Sequence, residues 1–132
     1  MPDRQLRVTV GIEEGRRFDA LGAPVRRLIH PTTVGSRLLG VSICLMEPGD
    51  EIRRHRHDYE EAYFVIRGHG TMFLEGVGDI GLEPGISVYV EPERVHGQVN
   101  DGDEPLHILC SLAPPPVEGD APRFAAPGEA DR

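Results

Sequence analysis

The sequence predicts an all-β protein, and three of its features carry that expectation. Sixteen glycines and twelve prolines punctuate 132 residues, apolar residues alternate with polar ones over short runs, and no segment shows an apolar stripe of helical period. A chain of this length forms one domain with a buried core of its own.

At the start, Leu6, Val8, Val10 and Ile12 alternate with polar neighbours, as in a half-buried strand, and Gly15 with the charges around it ends the pattern. Such an arm suits pairing with a second subunit. A loop is expected over 18–24 and a short strand from Val25 to His30. His30, followed by a proline, reads as a polar loop or surface histidine, or else as a metal ligand. In Ser36 to Met46, Leu39, Val41, Ile43 and Leu45 share one face, and Ser42, Cys44 and Met46 share the other. One face of this strand looks inward.

Glu47-Pro48-Gly49-Asp50 is turn chemistry. It leads into a strand carrying His55 and His57, whose spacing by one residue sends both side chains from one face towards a common ion, while Arg56 points the other way. A tight turn at Asp58 to Glu60 returns Glu61 beside them, ahead of the apolar run Ala62 to Ile66. One hairpin thus offers three ligands. Gly68-His69-Gly70 closes the next hairpin, with His69 as an exposed turn residue. Thr71 to Glu75 reads as a strand and Gly76 to Gly81 as a turn. Ile86, Val88 and Val90 mark a further strand, interrupted by Pro92. Val95 to Val99 carries His96, Asn100 to Asp103 is a polar turn, and Leu106 to Leu112 is the last strong strand. From Ala113 onward, Pro114, Pro115, Pro116, Pro122 and Pro127 among small residues leave a tail that builds no sheet. The organisation expected is an N-terminal arm and edge strand over 1–24, a β-domain over 25–112 and a Pro/Ala-rich tail over 113–132.

The formal net charge of −8 argues against nucleic acid and anionic membranes as partners, since both demand a basic face. Small molecules and other proteins remain. Cys44 and Cys110 lie within apolar runs without the spacing of a disulfide framework, the start has no apolar leader, and no run of 18 apolar residues occurs. A soluble, cytoplasmic protein is expected.

The spacings from Gly49 through His55, His57 and Glu61 to Gly68 match the first motif of the cupin family, GX5HXHX3EX6G, at every defined position. The second motif, GX5PXGX2HX3N, maps onto Gly85, Glu91, Glu93, His96 and Asn100 with every spacing kept, although Glu91 stands for its proline and Glu93 for its glycine. Pro92 can take the first central position of a type I turn, which needs no glycine and still presents His96. The stretch VYVEPERVHGQVNDGDEPLHILCSLAP also resembles the corresponding part of small manganese-binding bacterial cupins, in which the third ligand can be His; here Glu61 holds that place.

This resemblance implies a single-domain antiparallel β-barrel of jelly-roll type, with one metal held by His55, His57, Glu61 and His96. Three imidazoles and one carboxylate suit a divalent transition metal, with Mn or Fe first and Ni, Co, Cu or Zn as further options, and suit Ca or Mg poorly. An octahedral ion with four protein ligands keeps two positions for water, dioxygen or a chelating substrate.

Strand parity then sorts the neighbours. Arg53 shares the inward face of His55 and would bind a substrate carboxylate in two-pronged fashion, unless a bulge leaves it solvated. Tyr63 follows Glu61 inward and Gln98 follows His96, each to orient substrate or a metal-bound water, or to serve as core and rim. Cys110 shares a face with Ile108 and Leu112; the resemblance puts it near the metal but not bound to it, and the plain alternative is a buried apolar thiol. Cys44 reads as core. The expectation is a metal-dependent cupin enzyme, an oxidoreductase or dioxygenase acting on a small oxygenated organic acid or related metabolite chelated to the metal, and a homodimer. Non-redox decarboxylase, isomerase or lyase chemistry is the alternative within enzymes, and a non-catalytic ligand-binding cupin the alternative outside them.

Overall fold

The computed structural model describes residues 7–19, 21–117, 123–126 and 129. Among the described residues eleven strands run in chain order: β1 Arg16–Phe18, β2 Val25–Ile29, β3 Gly40–Met46, β4 Glu51–Arg56, β5 Glu60–Arg67, β6 Gly70–Leu74, β7 Gly78–Leu82, β8 Ser87–Val90, β9 His96–Val99, β10 Leu106–Ala113 and β11 Arg123–Phe124. They form two antiparallel sheets, one ordered β1-β2-β3-β10-β5-β8 and the other β11-β4-β9-β6-β7. This is a jelly roll. No helix among the described residues is long and apolar enough to cross a membrane.

Each inner face is written in the alternation of its strands. On β10 every even position is buried, from Leu106 to Leu112, and on β5 Glu61, Tyr63 and Val65 turn inward while Ala62, Phe64 and Ile66 face out. On β3 the inward face is that of Ser42, Cys44 and Met46, although Ile43 on the outer face is also covered. Between the sheets these side chains meet Ile52, Met72, Leu74, Leu82 and Val90 in one core. Burial of that many apolar side chains is the main stabilising term, each contributing about 1.5–3 kcal/mol relative to exposure.

Consecutive strands do not always pair. β4 pairs with β9 and β5 with β8 and β10, so the expected hairpin from His55 to Glu61 is instead a connection that crosses from one sheet to the other. The same holds around His69, between β5 and β6. Local turn signals are alike in the two cases, and only burial of both inner faces decides between them.

The register on β4 contains a one-residue irregularity: Ile52 opposes Gln98, yet His55 opposes His96. An extra residue reverses parity, so Ile52 and His55 are both buried and Arg53 between them is exposed. Gly97 makes room for this bulge. A Cβ there would stand 2.8 Å from the Ile52 carbonyl oxygen and 3.1 Å from the Arg54 backbone. At the far end of β9, the fully buried Asn100 donates to the carbonyls of Met46 (3.0 Å) and Glu104 (2.9 Å) and accepts from Gly102, closing the turn that its motif position marks.

Three further expectations are corrected. Residues 7–11 form no strand and Val8 is exposed; a short 3-10 turn, Ile12–Glu14, stands where the alternation ends, because the apolar side chains find no sheet face to cover. Leu6 lies outside the described residues. The glycine-rich stretch read as a turn contains β7, whose backbone pairs with β6 from Gly78 to Leu82. The tail does build sheet: Arg123 and Phe124 pair with Arg56 and His55, since the edge of β4 offers unmet backbone groups. Pro122 and Pro127 lie outside the described residues.

Candidate metal centre

His55 comes from the bulged end of β4, His57 from the first residue past it, and His96 from the start of β9. Their ligating nitrogens lie within 4.8 Å of one another. The rings are close but not stacked: centroids stand 4.3 Å apart for His55 and His96 and 4.8 Å for His57 and His96. Cross-strand pairing of His55 with His96 sets the first separation; the second follows from the sheet-crossing connection.

Each imidazole is oriented by a backbone carbonyl at its Nδ1. His55 donates to Arg53 O at 2.7 Å, His96 to Arg94 O at 2.9 Å and His57 to Tyr59 O at 2.9 Å. These bonds fix the Nδ1–H form and leave Nε2 as the coordinating atom, the arrangement in which metal-binding histidines are usually held. Nε2 of His96 is buried and has no hydrogen-bond partner, an unmet acceptor that a cation would satisfy. Burial first, then the neighbouring imidazoles of His96 and His57, bring His55 down to about 4 against the opposing pull of the Arg53 carbonyl and Glu61, so its Nε2 lone pair is available at neutral pH.

Glu61 faces the histidines from the opposite sheet. Its Oε1 accepts from His57 Nε2 at 3.0 Å and from the Tyr63 hydroxyl at 2.9 Å, and lies 3.5 Å from His96 Nε2. Burial would raise its pKa, but the hydrogen bond from His57 and the nearness of the His57 and His96 rings outweigh that and hold the carboxyl at about 2. His57 therefore has an acceptor at each nitrogen. An ion held at His57 Nε2 would take the place of its hydrogen bond to Glu61. Three imidazoles with this carboxylate fit a transition metal.

The centre opens into a cavity of about 550 Å³ lined by Leu21, Val25, Ile52 and Leu112 on its apolar side, with Tyr63, Gln98, Ser42, Cys44 and Cys110 among its polar lining. Tyr63 is buried, and desolvation together with the charge of Glu61 raises its pKa well above the ordinary phenol value, so it remains a donor. Gln98 is buried with its Oε1 unpartnered. Both thiols are buried, and desolvation pushes Cys44 up to about 12 and raises Cys110 well above the ordinary thiol value, which leaves them as neutral cavity wall.

Arg53 is not in this cavity. The bulge turns it outward, where its guanidinium stacks 3.8 Å from the Phe124 ring centroid. His30 is not near the histidines either, nor at the surface: it is buried, bonded through Nδ1 to Thr32 and through Nε2 to the Pro116 carbonyl at 2.7 Å, and so ties the β2 end to the segment after β10. His69 is exposed. Sequence reasoning missed Arg27, Glu93 and Arg123, which also line the cavity. Only Glu93 carried a signal, as a departure from the motif. Its turn is not the type I form expected: Glu93 has φ +70°, the left-handed conformation that the motif's glycine would adopt freely.

A family model described as "Cupin domain" matches residues 42–112. An uncharacterized protein of Methanocaldococcus jannaschii is 30% identical over 95 residues, 71% of this chain and 75% of that protein. Dimethylsulfoniopropionate lyase DddW of Ruegeria pomeroyi is 31% identical over 101 residues, which are 76% of this chain and 65% of the lyase. The chain thus spans less than two thirds of that relative. Among solved structures, the polyketide cyclase RemF from Streptomyces resistomycificus superposes with a TM-score of 0.72 at 19% identity, covering 99% of this chain and 90% of the cyclase. That likeness is one of fold.

Proposed function

The chain belongs to the cupin family, and on that premise we propose that it is a metal-dependent enzyme acting on a small oxygenated organic acid, with His55, His57, His96 and Glu61 as ligands of one divalent transition metal. The observation that carries this reading is the convergence of three carbonyl-oriented imidazoles, one with a buried orphan Nε2, at the polar end of a cavity large enough for a metabolite. A bound ion supplies Lewis-acid polarisation of a substrate carbonyl or carboxylate and, if redox-active, access to dioxygen.

The chain's own residues do the rest. Tyr63 donates to Glu61 and so fixes the carboxylate's direction; as a residue acting through Glu61 it positions rather than reacts. Gln98 presents an unmet acceptor to a hydroxyl or water in the cavity, and the apolar lining offers a wall for the hydrocarbon part of a substrate. The curated relative that cleaves a small organic acid, the lyase, supports non-redox chemistry. Oxidoreductase chemistry is the second reading, favoured by a nitrogen-rich donor set that accepts Mn or Fe.

Elemental analysis of protein purified without added metal, paired with oxygen consumption and product analysis on small keto acids, diketones and catechol-like compounds, separates them. Substrate turnover without oxygen uptake supports the non-redox reading. Substrate-dependent uptake with iron, manganese, copper or nickel supports the oxidative one. Absence of stoichiometric metal counts against both and leaves a ligand-binding cupin.

A homodimer is also proposed. Phe64, Ile66 and Tyr89 stand exposed on the outer face of the neighbouring strands β5 and β8. A monomeric mass at micromolar concentration contradicts it.

A further inference from the structure

The departure at Glu93 has a structural outcome that the metal centre does not use. Glu93 holds φ +70° in the turn before β9, where a side chain costs about 1 kcal/mol or more relative to glycine. Its backbone N–H donates to the His57 carbonyl at 2.7 Å, which fixes the residue beside the centre. Its carboxylate lines the cavity and accepts from Arg123 Nη2 at 2.5 Å. Arg123 lines the same cavity and comes from β11, directly opposite Arg56 on β4, which lines it too.

Two arginines directly opposite each other across a strand pair repel unless anions stand with them. Here each has one: Glu93 for Arg123, and Glu129, at 2.7 and 2.9 Å, for Arg56. The Glu93–Arg123 pair is half exposed, at 48% and 53%. A pair so exposed is worth little against water and is open to exchange. A ligand carboxylate would meet the same planar fork of donors that Glu93 now occupies.

We propose that Arg123 is the specificity-determining anchor for a distal carboxylate of the substrate, and that Glu93 is its internal stand-in, displaced when an acid with a second anionic end enters. The guanidinium role read for Arg53 in the sequence thus falls to a residue of the last strand. The substrate class narrows to small acids that offer one oxygenated end to the metal and a carboxylate to the mouth. This rests on the proposed function as a metal-dependent enzyme of organic acids.

The two members of the pair make opposite predictions, which a merely structural salt bridge would not. Zinc-loaded protein is titrated calorimetrically with the α,ω-dicarboxylates from succinate to suberate and with their monoamides, which keep one end for the metal and neutralise the other. In the wild type the diacid of matching length should bind about tenfold more tightly than its monoamide. Arg123→Gln should abolish the preference, and Glu93→Gln, which keeps the length and removes the competing charge, should enlarge it. Loss of preference in both variants makes the pair structural and overturns the proposal. So does a preference that survives Arg123→Gln but disappears in Arg27→Gln, which would move the anchor to the inner wall. Binding of zinc with no preference in the wild type at any chain length overturns the proposal and leaves the metal centre standing; failure to bind zinc contradicts the metal reading itself.

Discussion

Replacing Glu61 with glutamine removes one charge from the centre and little else. The amide oxygen can still accept from Tyr63 and His57, whose donors now lie 2.9 and 3.0 Å from Oε1. A hydrogen bond to a charged group is worth about 1.5–3 kcal/mol and a neutral one about 0.5–1.5, so the metal-free protein should lose roughly 1–2 kcal/mol. With a transition entropy of about 2.1 cal/mol/K per residue, that lowers Tm by about 4–7 °C. The larger effect is on metal. Zinc at a hundred times its Kd stabilises the wild type by about 2.7 kcal/mol, or about 10 °C on the same entropy. If the substitution weakens zinc about 10- to 100-fold, the rise at the same concentration shrinks to between about 1 and 5 °C. Thermal melts with and without zinc, with affinity from competition against a chromophoric chelator, give both quantities. An equal zinc-induced rise in wild type and Glu61→Gln would refute the assignment of this carboxylate to the metal.

Acid should destabilise the metal-free protein in two steps. His55 has its folded pKa lowered from 6.5 to about 4, so it costs nothing above pH 6.5 and its cost grows as pH falls towards 4. Glu61, held at about 2 against 4.5, stabilises fully above pH 4.5 and loses that contribution as pH falls through 2. Denaturant melts of His55→Asn should show a flatter slope between pH 6.5 and 4 than the wild type, and an identical slope counts against a neutral, buried His55. In Gly97→Ala the new methyl would press on the Ile52 carbonyl and the Arg54 backbone, so unfolding free energy should fall by about 1–3 kcal/mol and zinc affinity with it; zinc affinity equal to wild type would mean that the bulge does not set the spacing of His55 and His96. Cys44 and Cys110, buried with raised pKa values, should resist iodoacetamide at pH 8 in the folded protein and react on unfolding, as mass spectrometry would read. Rapid native labelling would place a thiolate in the cavity.

Much of the fold was legible because alternation and turn residues are local. The inward faces of β5 and β10 were readable from parity, and so was the proximity of His55 and His57. What was not legible depended on events between strands. The bulge in β4 has no marker in the sequence except Gly97 on its partner, and one extra residue sufficed to send Arg53 from the cavity to the outer surface. Whether the turn after His57 makes a hairpin or crosses between sheets depends on which strands bury both faces, so the position of Glu61 opposite the histidines, rather than beside them, emerged only in three dimensions. His30 found its partner in Pro116, 86 residues away. Arg123 lay in a stretch whose prolines argued against sheet, yet two residues sufficed to pair with an open strand edge.

In the proposed function His55, His57, His96 and Glu61 together hold one transition metal. Anomalous diffraction from crystals of the protein purified without added metal, collected at the absorption edge of whichever element it carries, tests this directly. A single peak about 2.0–2.2 Å from the three Nε2 atoms and from a Glu61 oxygen is expected. Absence of a peak among the imidazoles, or a peak ligated by other residues, would contradict it.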